Sequence, residues 1–395
     1  MLMIASIALA ACGVSTKPSP LVEASATVSP TTETPIEVTF WHPYASGSAE
    51  ETILAVLLER AAIDIPQYKI NALQVPINDI INKYDTDVAA GDGPDMFIAP
   101  NDNLGRQARA GSIADITSLV EGKLGDYSEL AQGGMMYEGK MYGFPESMKA
   151  VVFWYNTDLM PKIPATTDEL KALMEAGTPV SISFDCDKNW GFYGSFGARI
   201  FDANYNFVTD GANQTKVAST MSYLNDLYQI SVANGWLRND GDGNVAFSQG
   251  SIAAITNGNW AMGDYRKALG DKLAVAPIPA GPDGASNPLL GMDGFYFNPN
   301  SKNTEAAIEV ALYLTHTTAQ QLMMDEAGHV PANTTVEVTD PLIQGLLDAF
   351  STAYFRPQIE AMDNYWDNFC SVDQVFDAGT PAADWVATAF EGATK

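Results

Sequence analysis

Basic residues are scarce in this chain: 21 Lys and Arg stand against 48 Asp and Glu, a formal net charge of −27. That imbalance repels phosphate backbones and anionic headgroups over the whole surface, which speaks against nucleic acid as a partner. Histidine is scarcer still. His42, His316 and His329 are scattered, with no Cys/His spacing for zinc, no nucleophile elbow and no glycine loop to cradle phosphate, so neither a metal nor a cofactor is expected. The stretch DGDGNVAFSQGS from Asp240 begins like a calcium loop, but Val245 stands where Gly is needed and Ser251 where Glu is needed. Carboxylate pairs that could serve a glycosidase exist, Glu146 with Asp293 for instance, yet a chain with 48 acids offers many such pairs. A hydrolase therefore stands as the enzyme alternative.

Cysteine is limited to Cys12, Cys186 and Cys370. The run MLMIASIALAAC, residues 1–12, is apolar and too short to cross a bilayer, and reads as the core and cleavage end of a secretion signal. No Lys or Arg precedes it, so the charged start of such a signal is expected upstream. Its ending, Leu9-Ala10-Ala11-Cys12, resembles the lipobox of bacterial lipoproteins, which predicts lipidation of Cys12 and anchoring to the cell membrane from the extracytoplasmic side. Residues 13–35 are rich in Ser, Thr, Pro and Ala without an apolar period, a composition that cannot repay its ordering entropy. Such a tether reaches roughly 25 to 30 Å. Cys186 and Cys370 then sit in a compartment where disulfides persist; a bridge between them and two buried thiols are both open on the sequence.

What the chain has in quantity is apolar and aromatic mass: 46% hydrophobic residues, seven Trp, sixteen Tyr and seventeen Phe, over a length that suggests two lobes. From Pro35, strand and helix patterns alternate, as a parallel α/β sheet requires. Strands are expected at Ile36 to Trp41, in KINALQVP and DMFIA, and at Val151 to Tyr155, Val180 to Phe184, Ile252 to Thr256, Leu273 to Ile278 and Phe295 to Phe297. Ser48 with Glu51 reads as a capping box opening a helix toward Ala62. A further helix is expected around Ile77 to Ala90. Val217, Met221, Leu224, Leu227 and Tyr228 share one helical face. Asn303 is expected to cap a helix, with a restart at Thr317 and Gln320 and a stop at Gly328. Asn101, Asp102 and Asn103 follow a buried strand, where open α/β sheets place their ligands and where an Asx turn is equally at home.

Several segments together resemble the extracellular solute-binding proteins of sugar ABC transporters, the group that includes maltose-binding proteins. They are VTFWHPY, AAGDGPDMFIAPNDNLGRQARAGSIADIT, GKMYGFPESMKAVVFWYNTDLM, FSQGSIAAITNGNWAMGDY, APIPAGPDG and RPQIEAMDNYW, in that order. The resemblance implies a monomeric, two-lobed periplasmic-binding-protein-like fold (type II) with a ligand cleft between lobes joined by a hinge. Crossings are expected near Ser147, Gly294 and Asp340, giving one lobe of residues 36–147 plus 294–339 and another of 148–293 plus 340–395. It implies a mono- or oligosaccharide ligand, or a polyol, uronate or sugar phosphate, delivered to ABC permease subunits. Asn101 to Asn103 should then line the cleft. Asp102 matches a cleft Asp that bonds sugar hydroxyls, and Trp260, Trp366 and Tyr193 match rings that stack on sugars; His42, Tyr44, Trp190, Glu146 and Asp293 complete the candidate set. Lys149 stands where the maltose branch carries a ligand-contacting Glu. That reversal, together with Ala99 and Asn103, departs from the maltose pattern, so the resemblance does not carry maltodextrin as the ligand.

Overall fold

In the computed structural model, residues 34–236, 240–370 and 372–395 are described; the signal run, Cys12 and nearly all of the tether lie outside them. The alternation after Pro35 builds β1 (Ile36–His42), β2 (Tyr68–Gln74) and β3 (Met96–Pro100), with β1 parallel to both neighbours and helices Ala49–Asp64 and Ile77–Ala89 as the crossovers. Ser48 caps the first helix by accepting the Glu51 N–H at 3.1 Å, while the Glu51 carboxylate reaches back to the N–H of Gly47. After a small hairpin of β4 (Met136–Tyr137) and β5 (Lys140–Met141), the chain enters β6 (Gly143–Lys149).

Only Ala150 separates β6 from β7 (Val151–Asn156), yet the two strands belong to different sheets. The second sheet adds β8 (Val180–Ile182), β9 (Ala254–Gly258) and β10 (Leu273–Ala276), in the order β10-β7-β9-β8. The chain then returns through β11 (Leu289–Phe297), which inserts antiparallel between β3 and β6; β12 (Val330–Pro331) pairs with β6 and β13 (Tyr354–Phe355) with the start of β11. The first sheet thus runs β12-β6-β11-β3-β1-β2. Each sheet has its own apolar core, built on Phe40, Phe97, Phe144 and Tyr296 in the first and on Phe153, Phe192, Tyr365 and Phe369 in the second. A third cluster, including Val152, Trp154, Met324, Val330 and Leu346, ties the far face of the second sheet to β12.

Local expectations mostly hold. Val217, Met221, Leu224, Leu227 and Tyr228 are buried on the helix Gly211–Asn234, which Asp210 caps and Gly235 ends at φ 67°. The calcium-like stretch is helical, Asp240–Ser248. Asn303 occupies the cap position of helix Thr304–Leu314 without capping it: its amide donates to the Glu37 carbonyl at 3.1 Å and ties the helix start to β1. β11 begins six residues before Phe295, because Leu289–Phe297 is buried along its whole length and a strand covered on both faces shows no alternation. Cys186 and Cys370 form a disulfide, with Cα atoms 4.7 Å apart.

Candidate functional site

Where β6 and β11 run side by side, their register slips: Asp293 faces Ser147 while Gly294 faces Pro145, so Glu146 is the extra residue of a bulge. Gly294 permits it, since a Cβ there would lie 2.3 Å from the Met135 sulfur. The bulge turns Glu146 toward His329, which a π turn at Met323–Ala327 and a left-handed Gly328 deliver to the same place.

A buried ionic network results. Lys149 Nζ lies 2.6 Å from Asp293 Oδ2 and 3.2 Å from Glu50 Oε1. His329 Nε2 is 2.8 Å from the same Glu50 oxygen, and its Nδ1 is 2.8 Å from Glu146 Oε1. Burial opposes charge on His329, but Glu146 and Glu50 outweigh it and raise the imidazole to about 9. Burial likewise works against Glu50, yet Lys149 and His329 bring it down to about 2. Glu146 is lowered, mainly through His329 acting against burial, and Lys149 is raised because Asp293 and Glu50 overcome its desolvation. For Asp293 burial dominates, and the carboxyl is raised despite Lys149. Three carboxylates thus share two cations; among the described residues Glu146 Oε2 and Asp293 Oδ1 are left buried without a hydrogen-bond partner, although the Ser147 hydroxyl is near enough to help lower Glu146. The Tyr44 hydroxyl and His42 Nδ1 are likewise left without one; Tyr44 lies between His42 and His329, its ring 5.7 Å and 6.0 Å from theirs.

The turn Asn101–Asn103 opens the helix Leu104–Ala110 directly after β3. Asn101 is fully enclosed. Its amide donates to the Gly134 carbonyl at 2.8 Å, and its oxygen accepts from the Met292 N–H at 3.0 Å and from Arg356. Asp102 is 40% exposed and forms an ion pair with Arg356, while Asn103 accepts from Arg106 at 2.9 Å. The polar cluster is thus partly an internal clamp and partly a surface.

The aromatic candidates gather on the second core. Trp190 and Tyr193 ride on helix Cys186–Ser195, and Trp190 meets Tyr365 edge-on at 4.8 Å and Tyr354 at 5.4 Å. Trp190, Tyr193 and Tyr354, together with Arg199, Phe201 and Asn287, line a cavity of about 120 Å3. Trp366 follows Tyr365 on helix Glu360–Phe369, its ring half-buried and its indole N–H without a partner among the described residues. Trp260 lies just past β9, with Lys188 Nζ 4.9 Å and Lys149 Nζ 5.9 Å from its ring centre. The structure therefore brings Lys149, Glu146 and Asp293 together with Tyr44 and His42, and Trp190 together with Tyr193, while Trp366 meets this pair only through Tyr365. Glu50, His329, Arg356 and Lys188 were not singled out in the sequence. Arg356 was within reach, as it opens the quoted RPQIEAMDNYW segment.

The two carboxylates weighed as a hydrolase pair are held by His329 and Lys149. What the arrangement offers is a set of buried acceptors and donors beside the flat ring of Trp260, the make-up of a binding site for an uncharged polyhydroxylated molecule.

Known proteins share this build. The maltooligosaccharide ABC transporter solute-binding lipoprotein of Streptococcus pneumoniae serotype 4 is 26% identical over 97% of this chain and 93% of its own. Maltodextrin-binding protein MdxE of Bacillus subtilis is 26% identical over 74% of each chain. Among solved structures, the maltotriose binding protein of Thermus thermophilus bound with maltotriose superposes with a TM-score of 0.79 at 24% identity, covering 90% of this chain and 98% of that one, so the fold is that of the periplasmic binding proteins. The family model described as bacterial extracellular solute-binding protein matches residues 59–345, most of the chain, and the protein belongs to that family.

Proposed function

We propose that the protein is the extracytoplasmic receptor of an ABC importer, which captures a neutral mono- or oligosaccharide and delivers it to membrane permease subunits without chemistry. The observation that carries this reading is that Asp293 and Glu146, whose Oδ1 and Oε2 are buried without a hydrogen-bond partner among the described residues, belong to the network whose Lys149 lies 5.9 Å from the Trp260 ring centre. A pyranose has hydroxyl donors for the oxygens and apolar C–H faces for the ring. A polyol has the donors but no flat face. An acidic sugar would bring its charge to Glu146 and Asp293, while Lys149 is already neutralised by Asp293 and Glu50. In this reading Asp102, Tyr44 and His42 add hydrogen bonds, and Lys149 and Asn101 hold the wall. The names of the relatives support both the sugar and the transporter.

The two sheets with their cores serve as the lobes, residues 36–147 with 294–339 and residues 148–293 with 340–395. The lobes close on the ligand, because only a molecule touching both can favour the closed form. The receptor acts as a monomer, held to the membrane by a lipid on Cys12.

A thermal-shift screen tests the reading. A ligand at about a hundred times its dissociation constant adds roughly 2.7 kcal/mol of stability. Neutral sugars, maltotriose among them, are expected to stabilise the protein and to be recovered intact by chromatography. Stabilisation by uronates or sugar phosphates alone overturns the neutral-sugar reading, and turnover of the sugar overturns the receptor.

A further inference from the structure

The Cys186–Cys370 disulfide joins the N-terminal end of one aromatic helix to the C-terminal end of another. Cys186 is the first residue of helix Cys186–Ser195, capped by Asp185, whose side chain accepts the Cys186 N–H at 2.9 Å; Cys370 is the cap residue ending helix Glu360–Phe369. The first helix buries Lys188, Trp190 and Tyr193, and the second buries Tyr365 beside the half-buried Trp366. Beyond the covalent bond, Tyr365 binds the two helices together. Its hydroxyl donates to the Cys186 carbonyl at 3.2 Å, and its ring lies edge-on to Trp190 at 4.8 Å and next to Trp366 at 5.1 Å. The two cysteines are 184 residues apart in sequence, so nothing local sets the spacing of their helices.

We infer that this disulfide is a positioning element for ligand recognition: it fixes Trp190 and Tyr193 against Tyr365, the residue that packs on Trp366, and opening it loosens this aromatic cluster and weakens sugar binding. The inference rests on the sugar-receptor reading and assigns it a new determinant. Recognition by stacking needs rings held to within about half an ångström, and short aromatic helices that meet through a few ring contacts depend on whatever fixes their ends. An ordinary structural disulfide would lower stability alone. This one would alter affinity as well, because the bonded helices are those that carry the rings.

The test uses the intact protein at low temperature, with folding verified by far-ultraviolet circular dichroism. Dithiothreitol gives two electrons and two protons to the bond and leaves two thiols; the dissociation constant for maltotriose, or for whichever neutral sugar stabilises the oxidised protein, is measured before reduction, after reduction and after reoxidation. The expected result is a rise of roughly tenfold on reduction, reversed on reoxidation, with a change in the near-ultraviolet aromatic bands of the ligand-free protein. Should reduction unfold the protein, the variant C186V/C370A, which keeps the site apolar, takes its place. An affinity within twofold of the oxidised protein in a folded, reduced or substituted form overturns the inference, however far stability falls. If the oxidised protein binds no sugar in the screen, the receptor reading has failed independently. The positioning role is then decided by the near-ultraviolet bands alone, where no change on reduction overturns it.

Discussion

The Lys149 ammonium lies 2.6 Å from the Asp293 carboxylate and is 14% exposed, so the position where the maltose-binding branch carries an acid is here one half of a buried ion pair. Removing one partner of such a pair strands the other charge, which typically costs about 3–5 kcal/mol. Lys149→Met is therefore expected to lower stability by about that amount in urea titrations, with a smaller effect on sugar affinity once folding is accounted for. A variant of unchanged stability and lost affinity would make Lys149 a direct ligand contact instead.

His329 gives the network a pH signature. Its imidazole is raised from 6.5 to about 9, so the stability it contributes is complete below about pH 6.5 and disappears as pH rises through about 9. The groups facing it are Glu50, Glu146, Lys149 and Tyr44, and Glu50, lowered to about 2, keeps its charge throughout that window. Wild-type melting temperature is expected to fall between pH 6.5 and 9, by the equivalent of roughly 1–3 kcal/mol. In His329→Gln, less stable at pH 6, that slope should flatten. Parallel pH profiles for the two proteins would exclude His329 as the source.

How far the sequence revealed this site depended on what each residue signals locally. β1 to β3 and the helix Gly211–Asn234 are legible because period and caps agree. β11 was read only at Phe295–Phe297, since Leu289 to Gly294 carries two glycines and an Asp in a run with both faces covered. Trp260 and Trp366 are candidates only through segments shared with a family, not through any local signal. Glu50 and His329 could not be: Glu50 looks like any acid in the first turn of a helix, His329 like any histidine after a glycine, and they meet 279 residues apart because a left-handed turn at Gly328 brings His329 between Glu50 and the Glu146 of the bulge. The Asn101 amide shows the opposite error of emphasis, a polar cluster at a strand end whose first member serves the backbone of β11.

Arg109 and Asp363 predict a salt-sensitive closure. Arg109 ends the helix Leu104–Ala110 beside the first core and Asp363 rides on helix Glu360–Phe369 of the second, with their charged atoms 2.5 Å apart. The pair is about 30% exposed on each side, so its worth is of the order of 0.2–1 kcal/mol and falls with ionic strength. Asp363→Asn is expected to weaken sugar binding by up to about fivefold in low salt and to leave it nearly unchanged in high salt. Equal losses at both ionic strengths would show that Asp363 acts through shape and not through charge.

Gly258 predicts how Trp260 is seated. The glycine has an ordinary extended backbone, φ −72° and ψ 160°, and its carbonyl accepts from the Trp154 indole at 3.2 Å, so torsional freedom does not explain it. Contact does. A Cβ at Gly258 would sit 2.1–2.2 Å from three consecutive atoms of the Trp260 benzo ring, and such nearly equal distances place it over the ring face. The main chain therefore covers one face of the indole, and Lys188 Nζ lies 4.9 Å from its centre, so the ring has a fixed seat and a cation beside it. Gly258→Ala must displace the ring, and sugar affinity is expected to fall by about 1–3 kcal/mol, as for loss of an aromatic anchor. Trp260→Ala should cost a similar amount. Because the glycine would act only through the tryptophan, the double variant is expected to bind no worse than Trp260→Ala alone, the strong coupling that residues in contact show in a double-mutant cycle. Additive losses, measured by calorimetric titration of the same sugar into all four proteins, would mean that Gly258 influences the site by another route and that the seat described here is not what holds Trp260 for its ligand.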